Sequence, residues 1–129
     1  MSIPIGLGLD LIDLAHFRVH YGDEDPELLA RCFTEREIEN AGTGVDRLAR
    51  LAARFAVKEA TFKALGGGEG IGLPEIETVG GNDRIPAVVL HGSAKELADA
   101  QGVTSFLVSL THSAASAAAV VIALPGGPR

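Results

Sequence analysis

The run from Asp46 to Leu65, DRLARLAARFAVKEATFKAL, constrains this chain more than any other stretch, because it is the longest periodic segment. At ~100° per residue, Leu48, Leu51, Ala52, Phe55 and Phe62 fall on one helical stripe, and Glu59 projects from near its middle. The pattern predicts a long central helix with a carboxylate on its core side. An ionised group there is costly unless a cation or hydrogen bonds compensate it. Lys63 lies one turn on, so an ordinary i, i+4 ion pair is one reading and a functional site is the other. Arg50, Arg54 and Lys58, spaced by four, form a basic ridge that is either solvated or turned towards an anionic ligand.

With 129 residues and 47% hydrophobic content, the chain is the size of one domain, residues 1–129, and buries a core without staples. Its single cysteine, Cys32, excludes an intramolecular disulfide and a multi-thiolate zinc site, which fits a reducing, cytoplasmic setting. Cys32 sits in a short helical pattern with no base next to it, as a buried structural thiol does. The start MSIPIGLGLDL has no basic leader, and no apolar run reaches membrane-spanning length. A net charge of −6 argues against nucleic acid as a partner, so an anionic ligand has to find a local basic patch.

Ile3 to Leu11 reads as a strand buried on both faces. Asp10 and Asp13 follow with three-residue spacing; if Leu11 opens a helix, both carboxylates point the same way, and Asp10 is either a helix cap or a ligand. Gly8 leaves room for a ligand to approach the backbone. A short helix from Ile12 to about His20 leads to the acidic turn at 22–27, with Pro26 opening the next helix. Thr34 and Glu37 make a capping box for a helix ending near Ala41. After the central helix, GGGEGIG is a helix stop and mobile loop without the phosphate-cradling P-loop pattern. Glu75 to Val79 and Pro86 to His91 read as strands joined by the GGNDR turn, and Ser93 with Glu96 caps a further helix. Thr104 to Leu110 and Ala115 to Ala123 read as a hairpin around the THS segment, before a frayed tail at Gly126, Gly127 and Pro128. The alanine run from Ala114 joins this strand because Val120, Val121 and Ile122 follow it. This order predicts an α+β fold, an antiparallel sheet packed against the long helix.

Three stretches, GLGLDLIDL, RFAVKEATFKALG and VSLTHSAASAAAVVIA, resemble the signature regions of 4'-phosphopantetheinyl transferases of the holo-acyl-carrier-protein synthase type. The second is the most specific, matching F-x-x-K-E-A-x-x-K followed by A-L-G, and FTERE at Phe33 to Glu37 extends the likeness. The resemblance implies a 4'-phosphopantetheinyl transferase-like fold and transfer of phosphopantetheine from coenzyme A to a serine of an acyl carrier protein, releasing adenosine 3',5'-bisphosphate. It implies magnesium held by Asp10 and Glu59, and Lys63 neutralising or protonating the leaving phosphate. Glu59 would take the serine proton, directly or by way of a water on the metal. Arg54, His112 and Ser113 match positions contacting the nucleotide end of coenzyme A. Read without the family, His112 is a turn histidine.

Family members of this length are usually homotrimers with shared active sites. His16 stands where the family has a carrier-docking arginine, with Arg18 two places on, and the acidic turn from Asp23 to Glu27 weakens attraction to an acidic carrier. The loop after Lys63 is shorter than the family's, and the usual G-x-P reads Arg84, Ile85, Pro86. The carrier class, fatty acid, polyketide or peptide, stays open. A second function class also stays open, a module that binds carrier or coenzyme A without transferring anything.

Overall fold

The computed structural model describes residues 3–82 and 84–126. Three antiparallel strands form the main sheet: β1 (Gly6–Asp13), β4 (Val103–His112) and β5 (Ser116–Pro125), in the order β1-β5-β4. A separate hairpin pairs β2 (Ile76–Gly81) with β3 (Arg84–Leu90). Among the described residues five α-helices accompany the strands: α1 (Leu14–Tyr21), α2 (Pro26–Cys32), α3 (Glu35–Asn40), α4 (Arg47–Ala64) and α5 (Gly92–Ala100). The expected α+β architecture is observed, with α4 lying on the inner face of the three-stranded sheet. Asp83 of the hairpin turn and the tail residues Gly127 and Pro128 lie outside the described residues.

Two glycines set how closely helix and sheet approach. A Cβ on Gly6 would sit 1.8 Å from the Ala64 carbonyl oxygen, and one on Gly8 1.7 Å from that of Ala60. Neither position tolerates a side chain without moving backbone. The expectation that Gly8 admits a ligand is therefore corrected, since the helix itself occupies that space. Ala56, Ala60 and Ala64 of α4 meet Ala119, Val121 and Ala123 of β5 in one core cluster. Leu14, Phe17, Leu29, Phe33 and Leu51 build the second cluster at the other end of the helix. Burying each large side chain contributes about 1.5–3 kcal/mol.

Further expectations need correction. β1 is not buried on both faces: Gly8 faces α4, while Leu7, Leu9 and Leu11 are 65%, 63% and 70% exposed. The strand runs on through Asp13, so no helix opens at Leu11; Asp13 caps α1 by accepting from the Ala15 N–H at 2.9 Å. Asp10 is thereby freed from capping, and it points to the opposite side of the strand from Asp13. The Ser93/Glu96 capping box is absent. His91 is the N-cap of α5, and Glu75 from a 3₁₀ turn at Leu73–Glu75 accepts from the Ser93 N–H and hydroxyl, both at 2.6 Å. Those bonds, led by the Ser93 hydroxyl, pull the Glu75 carboxyl down to about 2. Between Val79 and Gly81 the hairpin carries a bulge. The alanine run forms a strand as expected, and the Thr34/Glu37 capping box and Pro26 helix start are both present.

The faces of α4 also differ from the sequence expectation. Alanines let its neighbours enclose nearly all of it, so of the ridge Arg50, Arg54 and Lys58 the last two are interior, each fully buried, and Arg50 is half-buried. Lys58 donates to Glu37 Oε1 at 2.6 Å, to the Leu73 carbonyl at 3.2 Å and to the Ile76 carbonyl. Glu37 also accepts from the Thr78 N–H at 2.9 Å. A solvated basic ridge is thus ruled out. The stripe holding Phe55, Glu59 and Phe62 is the half-open side of the helix. Side-chain size misled the periodicity, because small alanines can face a core that bulky residues only border.

Candidate functional site

Glu59 stands half-buried on this open side, and β1 brings Asp10 beside it. Lys63 donates to Asp10 Oδ1 at 3.1 Å and to the Leu9 carbonyl at 2.8 Å. Among the described hydrogen bonds, none joins Lys63 to Glu59, so the simple i, i+4 pair is replaced by a bridge between α4 and β1. Burial is the main cause that pushes the Glu59 carboxyl up; the Asp10 charge adds to it and Lys63 opposes it. The second Asp10 oxygen, Oδ2, is buried without a partner.

Two carboxylates under mutual repulsion, one with an orphaned buried oxygen, fit a hard divalent cation. Among the described residues no group of three histidine, cysteine or carboxylate side chains gathers around one point. Asp10 and Glu59 are the carboxylates that could hold such an ion.

The remaining expected residues lie elsewhere. Arg54 and His112 line a cleft of about 450 Å³ with Arg50, Gly81, Asn82, Arg84 and Ser109. Arg54 donates to the Arg50 carbonyl at 3.1 Å and to the Gly80 carbonyl at 3.2 Å, and its Nε is buried without a partner. Burial pushes its guanidinium down from the usual arginine value. Ser113 is outside this cleft; its hydroxyl accepts from the Ala115 and Ser116 N–H groups at 3.3 and 3.2 Å, shaping the β4–β5 turn. It lines a neighbouring cleft with His112, Arg18 and Asp46. Arg84 and Asn82 were not singled out from sequence as binding residues, although the lost G-x-P pattern marked that spot.

The carboxylate pair and the basic cleft lie at opposite edges of the sheet. Asp10 pairs with Ala119, which pairs with Leu110 on β4, so two strand spacings, roughly 10 Å, separate the edges. The helix runs between them. Around α4, Glu59 and Arg50 are about half a turn apart at ~100° per residue. In one chain the carboxylate pair and the basic cleft therefore face away from each other.

The acidic turn is partly neutralised within the chain. Glu24 accepts from Arg47 at 2.9 Å, and Asp25 caps α2 through the Glu27 N–H at 2.9 Å. Cys32 is buried and donates to the Tyr21 hydroxyl at 3.6 Å, as a structural thiol. Burial, aided by Cys32, pushes Tyr21 up to about 12. Among the described residues no helix is long and apolar enough to cross a membrane.

Residues 6–120 match the sequence profile of the 4'-phosphopantetheinyl transferase superfamily. A holo-[acyl-carrier-protein] synthase of Leifsonia xyli subsp. xyli is 41% identical over 117 residues, spanning 91% of this chain and 93% of that protein. A holo-[acyl-carrier-protein] synthase of Helicobacter pylori, solved in complex with coenzyme A, superposes with a TM-score of 0.77 at 28% identity, covering 91% of this chain and 98% of that one. The holo-ACP-synthase of Plasmodium yoelii shares the fold, with a TM-score of 0.83 at 20% identity over 98% and 99% of the two chains.

Proposed function

Because the chain belongs to the 4'-phosphopantetheinyl transferase superfamily, we propose that it moves 4'-phosphopantetheine from coenzyme A to a serine of an apo acyl carrier protein, as one domain over residues 1–129. The observation that carries this reading is the Asp10–Glu59–Lys63 cluster, assembled across α4 and β1 with a carboxylate oxygen left unpartnered. The products are the holo carrier and adenosine 3',5'-bisphosphate.

In the reaction, the carrier serine oxygen attacks the β-phosphorus of coenzyme A, forming a P–O bond while the bond to the α-phosphate oxygen breaks. Glu59 accepts the serine proton, directly or through one water. Lys63, more than half exposed, places its ammonium where it neutralises or protonates the leaving phosphate. Asp10 and Glu59 would hold magnesium, which would supply positive charge to stabilise the pyrophosphate. Arg54 and His112 belong to the cleft that receives the nucleotide end, with Ser113 shaping the adjoining turn. The carrier meets α1, where His16, Arg18 and His20 are exposed.

The protein works as a homotrimer in the cytoplasm, in fatty acid or polyketide synthesis. Two observations support subunit association. Leu7, Leu9, Leu11 and Leu107 expose an apolar sheet face, and the two half-sites point away from each other, so a neighbour's cleft completes the site. Incubating the protein with coenzyme A, magnesium and a panel of apo carriers tests the reaction. One carrier gains the mass of a phosphopantetheine group; no gain on any carrier that a known transferase loads contradicts it.

A further inference from the structure

The cleft beside α4 is walled by Arg50, Arg54, Arg84 and His112, and no described carboxylate lines it, in a chain whose net charge is −6. Guanidinium groups crowded in this way repel one another unless an anion joins them. Arg54 is fully buried; it gives one N–H each to the Arg50 and Gly80 carbonyls, and its Nε has no partner. Its hold on Gly80 fixes the β2–β3 turn. From the other side, the Asn82 amide donates to the Asn40 carbonyl at 3.0 Å. Gly80, Gly81 and Asn82 all have positive φ, at 74°, 83° and 54°, which bends this turn over the cleft. Arg84, exposed at the start of β3, is thus carried on a pinned turn. Among the described residues it has no carboxylate partner, and Arg50 facing it makes only a 3.4 Å contact to the Ala41 carbonyl.

Coenzyme A brings two kinds of phosphate. Its pyrophosphate has to reach Asp10, Glu59 and Lys63, so the phosphate left for the basic cleft is the one on the ribose. Resting on the coenzyme A reading above, we propose that Arg84 is a specificity-determining residue, clamping the ribose phosphate together with Arg50 so that the site prefers a nucleotide carrying that phosphate. A planar fork suits this task better than an ammonium, because it offers two parallel bonds to phosphate oxygens.

Calorimetry on the full chain, without divalent metal, compares adenosine 3',5'-bisphosphate with adenosine 5'-monophosphate. The unaltered protein binds the bisphosphate more tightly. Arg84→Gln weakens the bisphosphate by about tenfold and the monophosphate by under about twofold, as expected for one lost charge-assisted clamp. Arg84→Lys regains part of the preference. The proposal is overturned if both ligands weaken equally, if the bisphosphate is unaffected, or if the unaltered protein shows no preference. Should the preference depend on Arg84 while no apo carrier is loaded, the clamp stands and the transferase reading fails. Should carriers be loaded while the preference is indifferent to Arg84, the transferase reading stands and the clamp fails.

Discussion

Lys58 and Glu59 are neighbours in sequence with opposite tasks. Lys58 is fully buried and bound to Glu37, whose carboxylate also accepts from backbone N–H groups of Thr34 and Thr78. Glu59 faces the half-open side with Asp10. Lys58→Met strands the Glu37 charge and should cost about 3–5 kcal/mol in denaturant unfolding, with Glu37→Gln on the same chain recovering part of it. A loss under about 1 kcal/mol would show that the buried pair is not structural. Sequence singled out both residues, but it could not separate them. Periodicity weighs bulk, and on α4 Leu48 and Leu51 of the bulky stripe are buried while Phe55 and Phe62 only border the core that alanines face. The Thr34/Glu37 box was legible because capping is local; the long-range bond from Glu37 to Lys58 was not.

The approach of β1 to α4 is the element that builds the site. Gly6 and Gly8 let the strand run against Ala64 and Ala60, which brings Asp10 to Lys63. Gly8→Ala forces a Cβ into the Ala60 carbonyl, so it should destabilise by about 1–3 kcal/mol, the usual range for overpacking. Loading should fall further than stability does at a temperature where the variant is fully folded, since Asp10 moves with the strand. Loading rate beside a melting curve checks this, and an unchanged rate would separate the glycine from the site. The strand itself was legible, as were α4 and the β4–β5 hairpin. What escaped was its exposure: a nearly all-apolar strand reads as buried on both faces, whereas this one leaves Leu7, Leu9 and Leu11 open. The cap of α5 escaped because Glu75 reaches it from a separate segment.

Across the whole molecule, the carboxylate pair and the basic cleft occupy opposite edges of one sheet, and in the proposed trimer a neighbour brings the two kinds together. Mixing two inactive variants tests this arrangement. Glu59→Gln lacks one half-site and His112→Ala the other, so randomly mixed 1:1 trimers regain about a quarter of full activity through sites built from the intact halves. No recovery after verified subunit exchange would put both halves of each site in one chain. The three signature regions were legible from sequence because they are contiguous motifs. Their division between two edges was not, because strand order is a property of the fold.

The central claim is that Asp10, Glu59 and Lys63 carry out phosphopantetheine transfer. Quantifying holo carrier and adenosine 3',5'-bisphosphate in one sample tests it most directly. With magnesium, the unaltered protein should release one bisphosphate for each carrier loaded, and chelation of the metal or Glu59→Gln should abolish both while the fold persists. Bisphosphate released without loaded carrier, or loading that survives Glu59→Gln, would contradict the account.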